Sequence, residues 1–589
     1  IFTRFSNDIA RFWESGVLEE EDSSTGSSIN LELAKAWHDE CKKNHPRCQL
    51  SSTSLPTRVI DIGEESSNPT LYETMTGESA EYVALSHCWG TDSPIEPGEE
   101  KRDSRRIELP PLHQWPQTFR DAVNVARAFA IRYLWIDNIC IRQGDKGEDD
   151  WKVESLRMSD YFKNATFTIA STKAADGSEG CFSHRSPLLT RPCRIQLISE
   201  TSSENISPLE LWVCPNPTLK DFQGYDGPLS WRCWTLQEEL LSRRILFFWK
   251  TQLAWTCLTS NASESYPDPT SIEQAPKDAV GFNFRLSMHV PIIPDDLAQR
   301  SPYYDFWCRL IESFTERNMT YQRDTLPAIS ALAITMNKSL AVPDRYVAGL
   351  WMRDLTVGLL WAVDRESKGR RPVPPGQKNY LHEGFSAPSW SWVSMSHCVV
   401  KFLRAKEILP GGWRNRYTAT TDPQDYGPQI LCVHINSSNT YGRVIDGTLR
   451  VRAKLSIIRI NLHPSRRGNR LADFEHPNSN GLTWKLTMDY VNFIERRVLK
   501  RELITGDCEL DGGDTSMLSS YVQGEQILAY FLPLLAYATD EGEWGRWVGL
   551  ALVQRGEANE YTRIGRVAIN LHSTAYILCD LPDQDISIR

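Results

Sequence analysis

Three short stretches hold the residues best suited to chemistry. The first is Leu134–Gln143, LWIDNICIRQ, where an apolar run meets a carboxylate at Asp137, then Ile139–Cys140–Ile141, then Arg142 and Gln143. A short apolar run bounded by polar residues suits a buried strand. A carboxylate at its end is costly unless paired or hydrogen-bonded. Asp137 therefore marks an edge where ligands gather, or else it caps a turn or pairs with a structural Arg. The second stretch, Ser86-His87-Cys88, sets a hydroxyl, an imidazole and a thiol side by side. Neighbouring strand residues point to opposite faces, so Ser86 and His87 would not meet readily. A protease pair of Cys140 and His87 lacks an orienting third residue. The third stretch is Cys41-x3-His45-x2-Cys48. It has nearly the side chains of a zinc site, but zinc takes four ligands and no fourth stands nearby. The expectation there is a structural cluster, with no metal.

Positioning these groups requires a framework, and the segment from about residue 80 to 260 supplies one. Glu81–Ser86, EYVALS, predicts a strand closed by Cys88-Trp89-Gly90, and a polar loop follows from Thr91 to about His113. Pro116–Ile131 predicts an amphipathic helix, with Pro in its first turn and Phe119, Val123, Ala126 and Ala130 on one face. A strand over Tyr133–Cys140 comes next. A helix from about Asp149 to Phe162 follows, its acidic start complementing the helix dipole, and then a strand over Ala165–Ser171. Strand–helix–strand–helix–strand implies right-handed crossovers and a mainly parallel sheet with flanking helices, an α/β fold. Ligands of such sheets sit outside the carboxyl ends of the strands. Cys88–Gly90, Asp137–Gln143 and Ser171–Lys173 would share that edge. Beyond a loop around Gly177–Pro192, Ser230–Leu241 predicts a helix, and Arg244–Trp249 with Gln252–Cys257 a strand pair.

Elsewhere the signals are coarser. Glu19–Ser28 reads as a flexible acidic segment, followed by a helix over about Asn30–Lys43 and a strand within Pro56–Ile62. Residues 260–300 read as an irregular linker rich in Pro and Ser. Residues 301–362 read as helical, with Trp307, Phe314 and Tyr321 as anchors, and from about 428 onward alternating Val-rich runs predict antiparallel strands. The division expected is an N-terminal extension (1–79), the α/β domain (80–260), a helical and irregular region (261–400) and a β-rich C-terminal region (401–589). A chain of 589 residues suits several domains of about 100–200 residues each. A net charge of −10 excludes a general nucleic-acid binder, which needs a basic face. The 20 Trp, several in short contexts such as WRCW and SWSW, are expected as packing anchors. Fourteen scattered Cys do not form a secreted disulfide pattern, so reduced thiols in a cytoplasmic protein are expected. No run approaches the ~20 apolar residues of a membrane span, since Ile527–Ala538 is shorter and interrupted by Pro533. No signal peptide is expected. The chain opens on Ile1 rather than Met, and its native N-terminus is expected to be missing.

Three segments now stand in order: YVALSHCWG (82–90), LWIDNICIRQGD (134–145) and WRCWTLQEELLSRRILFF (231–248). Together they resemble the fungal heterokaryon-incompatibility (HET) domain. CFSHRSPLLTRPCRI (181–195), APSWSW (387–392) and the W-x3-C-x3-H-x2-C stretch from Trp37 to Cys48 resemble segments that accompany it. His87 stands where an aromatic is often found, and Gly144 where an acidic residue is common. The resemblance implies a role in non-self recognition after cell fusion, with growth arrest or programmed cell death on meeting an incompatible partner. It implies a protein partner or self-association. It also implies a TIR/Rossmann-like fold, because HET domains are considered similar to TIR domains. Some TIR domains cleave NAD+ through one Glu in a W-x3-E context, and Trp234-x3-Glu238 has that spacing.

Cleaving the nicotinamide–ribose bond builds an oxocarbenium-like centre that a carboxylate can stabilise. No cofactor or metal is required, and NAD+ is the candidate substrate. The resemblance makes Glu238 the catalytic candidate, with Asp137 orienting it or a ribose and Arg232 holding a phosphate. Trp234, Ser86, Trp89, Gly90 and Gln143 complete the expected binding site. The alternative is a non-catalytic TIR-like signalling module. In that case Arg232 and Asp137 form a buried ion pair, whose loss costs about 3–5 kcal/mol, and Gln237 and Glu238 satisfy backbone groups.

Overall fold

The structure, a computed structural model, describes residues 23–49, 53–64, 67–90, 95, 105–143, 147–186, 190, 193–197, 209–213, 227–271, 285, 288–289, 302–340, 342–364, 387–395, 398–403, 428–437, 439–464, 482–488, 504–510, 522–523, 526–538, 544–556, 559–570 and 582–589. The chain divides into two compact units, Ile1–Pro291 with Pro372–Asn379, and Ile292–Arg371 with Tyr380–Arg589.

Among its described residues, the first unit has helix α1 (Ser28–Asn44), then strands β1 (Arg58–Asp61), β2 (Thr70–Glu73), β3 (Tyr82–Ser86) and β4 (Arg106–Glu108). Helix α2 (Gln117–Ala128), strand β5 (Tyr133–Trp135), a helical turn over Asp137–Cys140, helix α3 (Glu148–Asn164) and strand β6 (Phe167–Ala170) follow. A hairpin of β7 (Cys193–Leu197) and β8 (Leu209–Val213) leads to helix α4 (Trp234–Leu241) and strands β9 (Arg244–Phe248), β10 (Leu253–Cys257), β11 (Ser260–Ser263) and β12 (Tyr266–Ser271).

Ten strands form one sheet in the order β12-β11-β10-β9-β6-β3-β5-β1-β2-β4. Its centre, β9-β6-β3-β5, is parallel. Both flanks are antiparallel, so the expected parallel sheet is the core of a mixed one. Connection length explains the difference. Parallel neighbours need long crossovers, which carry α2, α3 and α4, whereas β9 to β12 follow one another through short turns that reverse the chain. In chain order the four parallel strands lie 2-1-3-4, so the winding reverses between β3 and β6. That reversal is the switch point at which doubly wound sheets bind ligands. Every residue of β3 and β6 is buried, as strands covered on both faces require. Val83, Leu85, Leu134, Trp135, Phe167, Ile169, Leu246 and Phe248 form one core with Phe119, Val123 and Ala126 of α2.

Several elements depart from the sequence reading. Helix α2 ends at Ala128, and Ala130, expected on its apolar face, is exposed with φ of 54°. Strand β5 stops at Trp135 rather than Cys140. The Asp137 carboxylate accepts the Asn138 N–H at 2.8 Å, and the Cys140 N–H bonds the Ile136 carbonyl at 2.8 Å, which turns the chain into a helical turn. Arg58 then holds the Cys140 carbonyl through Nε at 2.6 Å. The head of the expected 260–300 linker is the β11–β12 hairpin, whose polar residues pair through the backbone at the sheet edge. Most of the remaining linker, most of the Thr91–His113 loop and Glu19–Asp22 lie outside the described residues, although β4 falls within that loop. Leu33, Ala34, Trp37 and Cys41 of α1 and Val59 and Ile60 of β1 belong to the same core as β3.

The second unit contains helices α5 (Pro302–Thr315) and α6 (Pro327–Ser339) and a ten-stranded sheet between Gln429 and Ile588. Among the described residues its strand pairings are antiparallel except that of Glu560–Asn570 with Asp583–Ile588. Pro533 sits at a register shift in its strand, where a missing N–H is tolerated. Among the described residues, no helix is long and apolar enough to cross a membrane.

Candidate functional site

The site grows from the end of β3. Ser86 is its last residue and the register partner of Ala170, the last residue of β6. The switch point therefore lies beside the Ser86 side chain. Helix α4 lies in the crossover from β6 to β9 and follows the short Pro228–Trp231 turn. Ser86 Oγ donates to Glu238 Oε2 at 2.5 Å, and both residues are about 5% exposed. The helix is tied to the sheet as well. Ser242 Oγ donates to the Glu238 carbonyl at 2.6 Å and meets Thr168 Oγ1 of β6 at 2.7 Å.

His87 follows Ser86 and points its ring into the interior, edge-on to Phe119 with centroids 5.0 Å apart. Its Nδ1 lies 3.7 Å from Asp137 Oδ1, and neither ring nitrogen has a hydrogen-bond partner. Burial lowers its pKa to about 4; Asp137 pulls upward and Arg232 downward. The imidazole is thus neutral near pH 7, and its contact with Asp137 is not an ion pair. Asp137 is satisfied instead by Trp89 Nε1 at 2.8 Å and by the Asn138 N–H. Arg232 Nη1 donates to the His87 carbonyl at 2.7 Å, in place of the ion pair with Asp137 that the alternative reading expected. The Cys88 thiol is pushed up to about 11 by burial, with Arg232 opposing. Cys140 is pushed up to about 12 by burial, the opposite of what a thiolate nucleophile needs.

Of the sequence-predicted residues, Ser86, Trp89, Asp137, Arg232 and Glu238 thus gather around one strand end. Gly90 shapes the adjoining loop: its φ is +64°, and a Cβ there would stand 2.3 Å from Asp176 Cβ. The contacts of the other two lie elsewhere. Gln143 donates to its neighbour's carbonyl, Ile141 O, at 2.9 Å, and Trp234 packs edge-on to Trp151 with centroids 6.2 Å apart. His87 is not among the expected site residues, because strand alternation points it away from Ser86. Its signal was a polar residue in an otherwise buried run.

A carboxylate and a half-buried guanidinium at a strand edge can hold a polyhydroxylated, anionic ligand and stabilise a developing cation. Apart from this edge, Cys257 at the end of β10 stands against Cys41, His45 and Cys48, with ligand atoms of all four within 4.8 Å of one another. It is the fourth side chain the local spacing lacked, 212 residues from His45.

The family model described as heterokaryon incompatibility protein (HET) matches residues 82–238. The match begins with the first residue of β3 and ends on Glu238. No curated protein and no solved structure matches the chain. The strand edge that gathers Ser86, Asp137, Arg232 and Glu238 thus lies within the segment, residues 82–238, that matches the heterokaryon-incompatibility (HET) domain.

Proposed function

We propose that this chain is an effector of heterokaryon incompatibility that acts in non-self recognition and regulated cell death by hydrolysing NAD+ at the carboxyl edge of β3 and β6. The observation that carries the reading is the Ser86–Glu238 hydrogen bond of 2.5 Å, which orients a carboxylate at the sheet's switch point. The C1′–N bond of NAD+ breaks, and its electron pair leaves on nicotinamide. Glu238 stabilises the oxocarbenium-like ribose while water attacks C1′ and releases a proton, giving ADP-ribose. Asp137 orients a ribose hydroxyl and Arg232 binds a phosphate oxygen. The TIR-like W-x3-E spacing of Trp234 and Glu238 is in keeping with this chemistry. We place the protein in the cytoplasm, a reading supported by the ten cysteines that are free thiols among the described residues.

The full chain, expressed in cells or purified, is expected to deplete NAD+. Glu238→Gln should slow depletion by about a hundredfold or more. Intact NAD+ during death caused by the wild-type chain would sink the proposal. The burial of Ser86 and Glu238 favours a second reading, a non-catalytic TIR-like module that signals by self-association or through a protein partner. A folded Glu238→Gln chain that still kills would select that reading.

A further inference from the structure

We propose that Cys41, His45, Cys48 and Cys257 bind one zinc ion that staples α1 to the end of strand β10. Cys41 lies in the last turn of α1, His45 caps it, and Cys48 closes the short Pro46–Cys48 turn. Cys257 ends β10, the strand on which α1 packs. All four ligand atoms lie within 4.8 Å of one another, and none of the three thiols is in a disulfide. The three Cys are fully buried. Three thiolates and one imidazole are a soft set, which selects zinc over oxygen-seeking cations. Four protein ligands close the coordination sphere, as structural sites require.

The surroundings of the sulfurs are those of metal-bound thiolates. The N–H groups of Thr259 and Ser260 both point at Cys257 Sγ, at 3.3 and 3.2 Å. Arg244 Nε donates to Cys41 Sγ at 3.2 Å, and Thr259 Oγ1 lies 3.7 Å from Cys48 Sγ. Such outer donors orient ligands and stabilise their charge. Three thiolates leave zinc with one surplus negative charge, and the buried Arg244 guanidinium offsets it. His45 Nδ1 faces Cys257 Sγ at 3.4 Å, so Nδ1 is the nitrogen that turns to the metal. The ion would tie the segment before β1 to the end of β10 and anchor α1, whose Trp37 already bonds the Pro267 carbonyl at 2.7 Å.

Elemental analysis of the full chain, purified under reducing conditions, is expected to give about one zinc per chain. Cys257→Ser and His45→Gln should each lower occupancy by about tenfold or more, while Cys432→Ser, an exposed cysteine, leaves it unchanged. Because those variants can fail to fold, cobalt exchanged into the wild-type chain provides an independent reading. Visible bands of tetrahedral cobalt with a thiolate-to-metal charge-transfer band are expected. A wild-type chain that holds less than about a tenth of an equivalent of metal and gives no such cobalt spectrum would overturn the proposal. So would a Cys41–Cys48 disulfide in its peptide map.

Discussion

His87 sits between two motifs, covered by Phe119 and 3.7 Å from Asp137, and burial decides its protonation. Its folded pKa of about 4 lies below the ordinary 6.5. The unfolded chain therefore binds a proton that the folded chain rejects. This contribution to stability is complete above about pH 6.5 and is lost as the pH falls towards 4. The loss at the acid end amounts to about 3 kcal/mol. Urea unfolding between those pH values should show a steep fall for the wild type and a shallower one for His87→Phe. An unchanged slope would mean that other buried groups, such as His289, dominate. Alternation along β3 correctly separates Ser86 from His87, and only the partners on other elements reveal what each faces.

At the scale of elements, turns decide where the chemistry stands. Gly90 lets the chain leave β3 with φ of +64°, and its missing Cβ leaves room for Asp176. Gly90→Ala meets both obstacles and should destabilise the domain by more than about 1 kcal/mol. Gly77→Ala is the matched control, since it shares a positive φ but has nothing within 4 Å of its Cβ. Denaturant midpoints of the two variants separate backbone strain from the clash; equal losses would show that the Asp176 contact does not matter. Helix α2 and strands β3 and β6 were legible in the sequence because periodicity and continuous apolar runs are local signals. The early end of β5 was not, because Arg58 from another strand holds the Cys140 carbonyl.

At the scale of the two units, eight tryptophans among the described residues act as anchors. Trp37, Trp135 and Trp255 are fully buried in the first unit, and Trp307, Trp351, Trp361, Trp390 and Trp392 in the second. Within the second unit the Arg563 guanidinium lies 3.5 Å from the centre of the Trp361 ring and donates to the Leu359 carbonyl at 2.6 Å. These contacts join residues about two hundred positions apart, between the Leu359–Trp361 stretch and the β-rich sheet. Arg563→Met should cost about 3 kcal/mol or more, since it leaves buried carbonyls without their charged donor. Hydrogen exchange should show lost protection over Trp361–Val363; full protection in the variant would refute this account.

By itself the sequence determined the α/β class, the parallel centre of the sheet, the β-rich C-terminal region and the HET motifs. Each of these rests on patterns within one segment or on motifs in a fixed order. Tertiary structure alone decided that Ser86 meets Glu238, that Arg232 serves the His87 carbonyl rather than Asp137, and that Cys257 completes the Cys41–His45–Cys48 trio. Periodicity encodes which way a residue faces, but not which distant residue comes to face it. That pairing is set by strand order and crossovers, which bring together side chains from elements far apart in the chain.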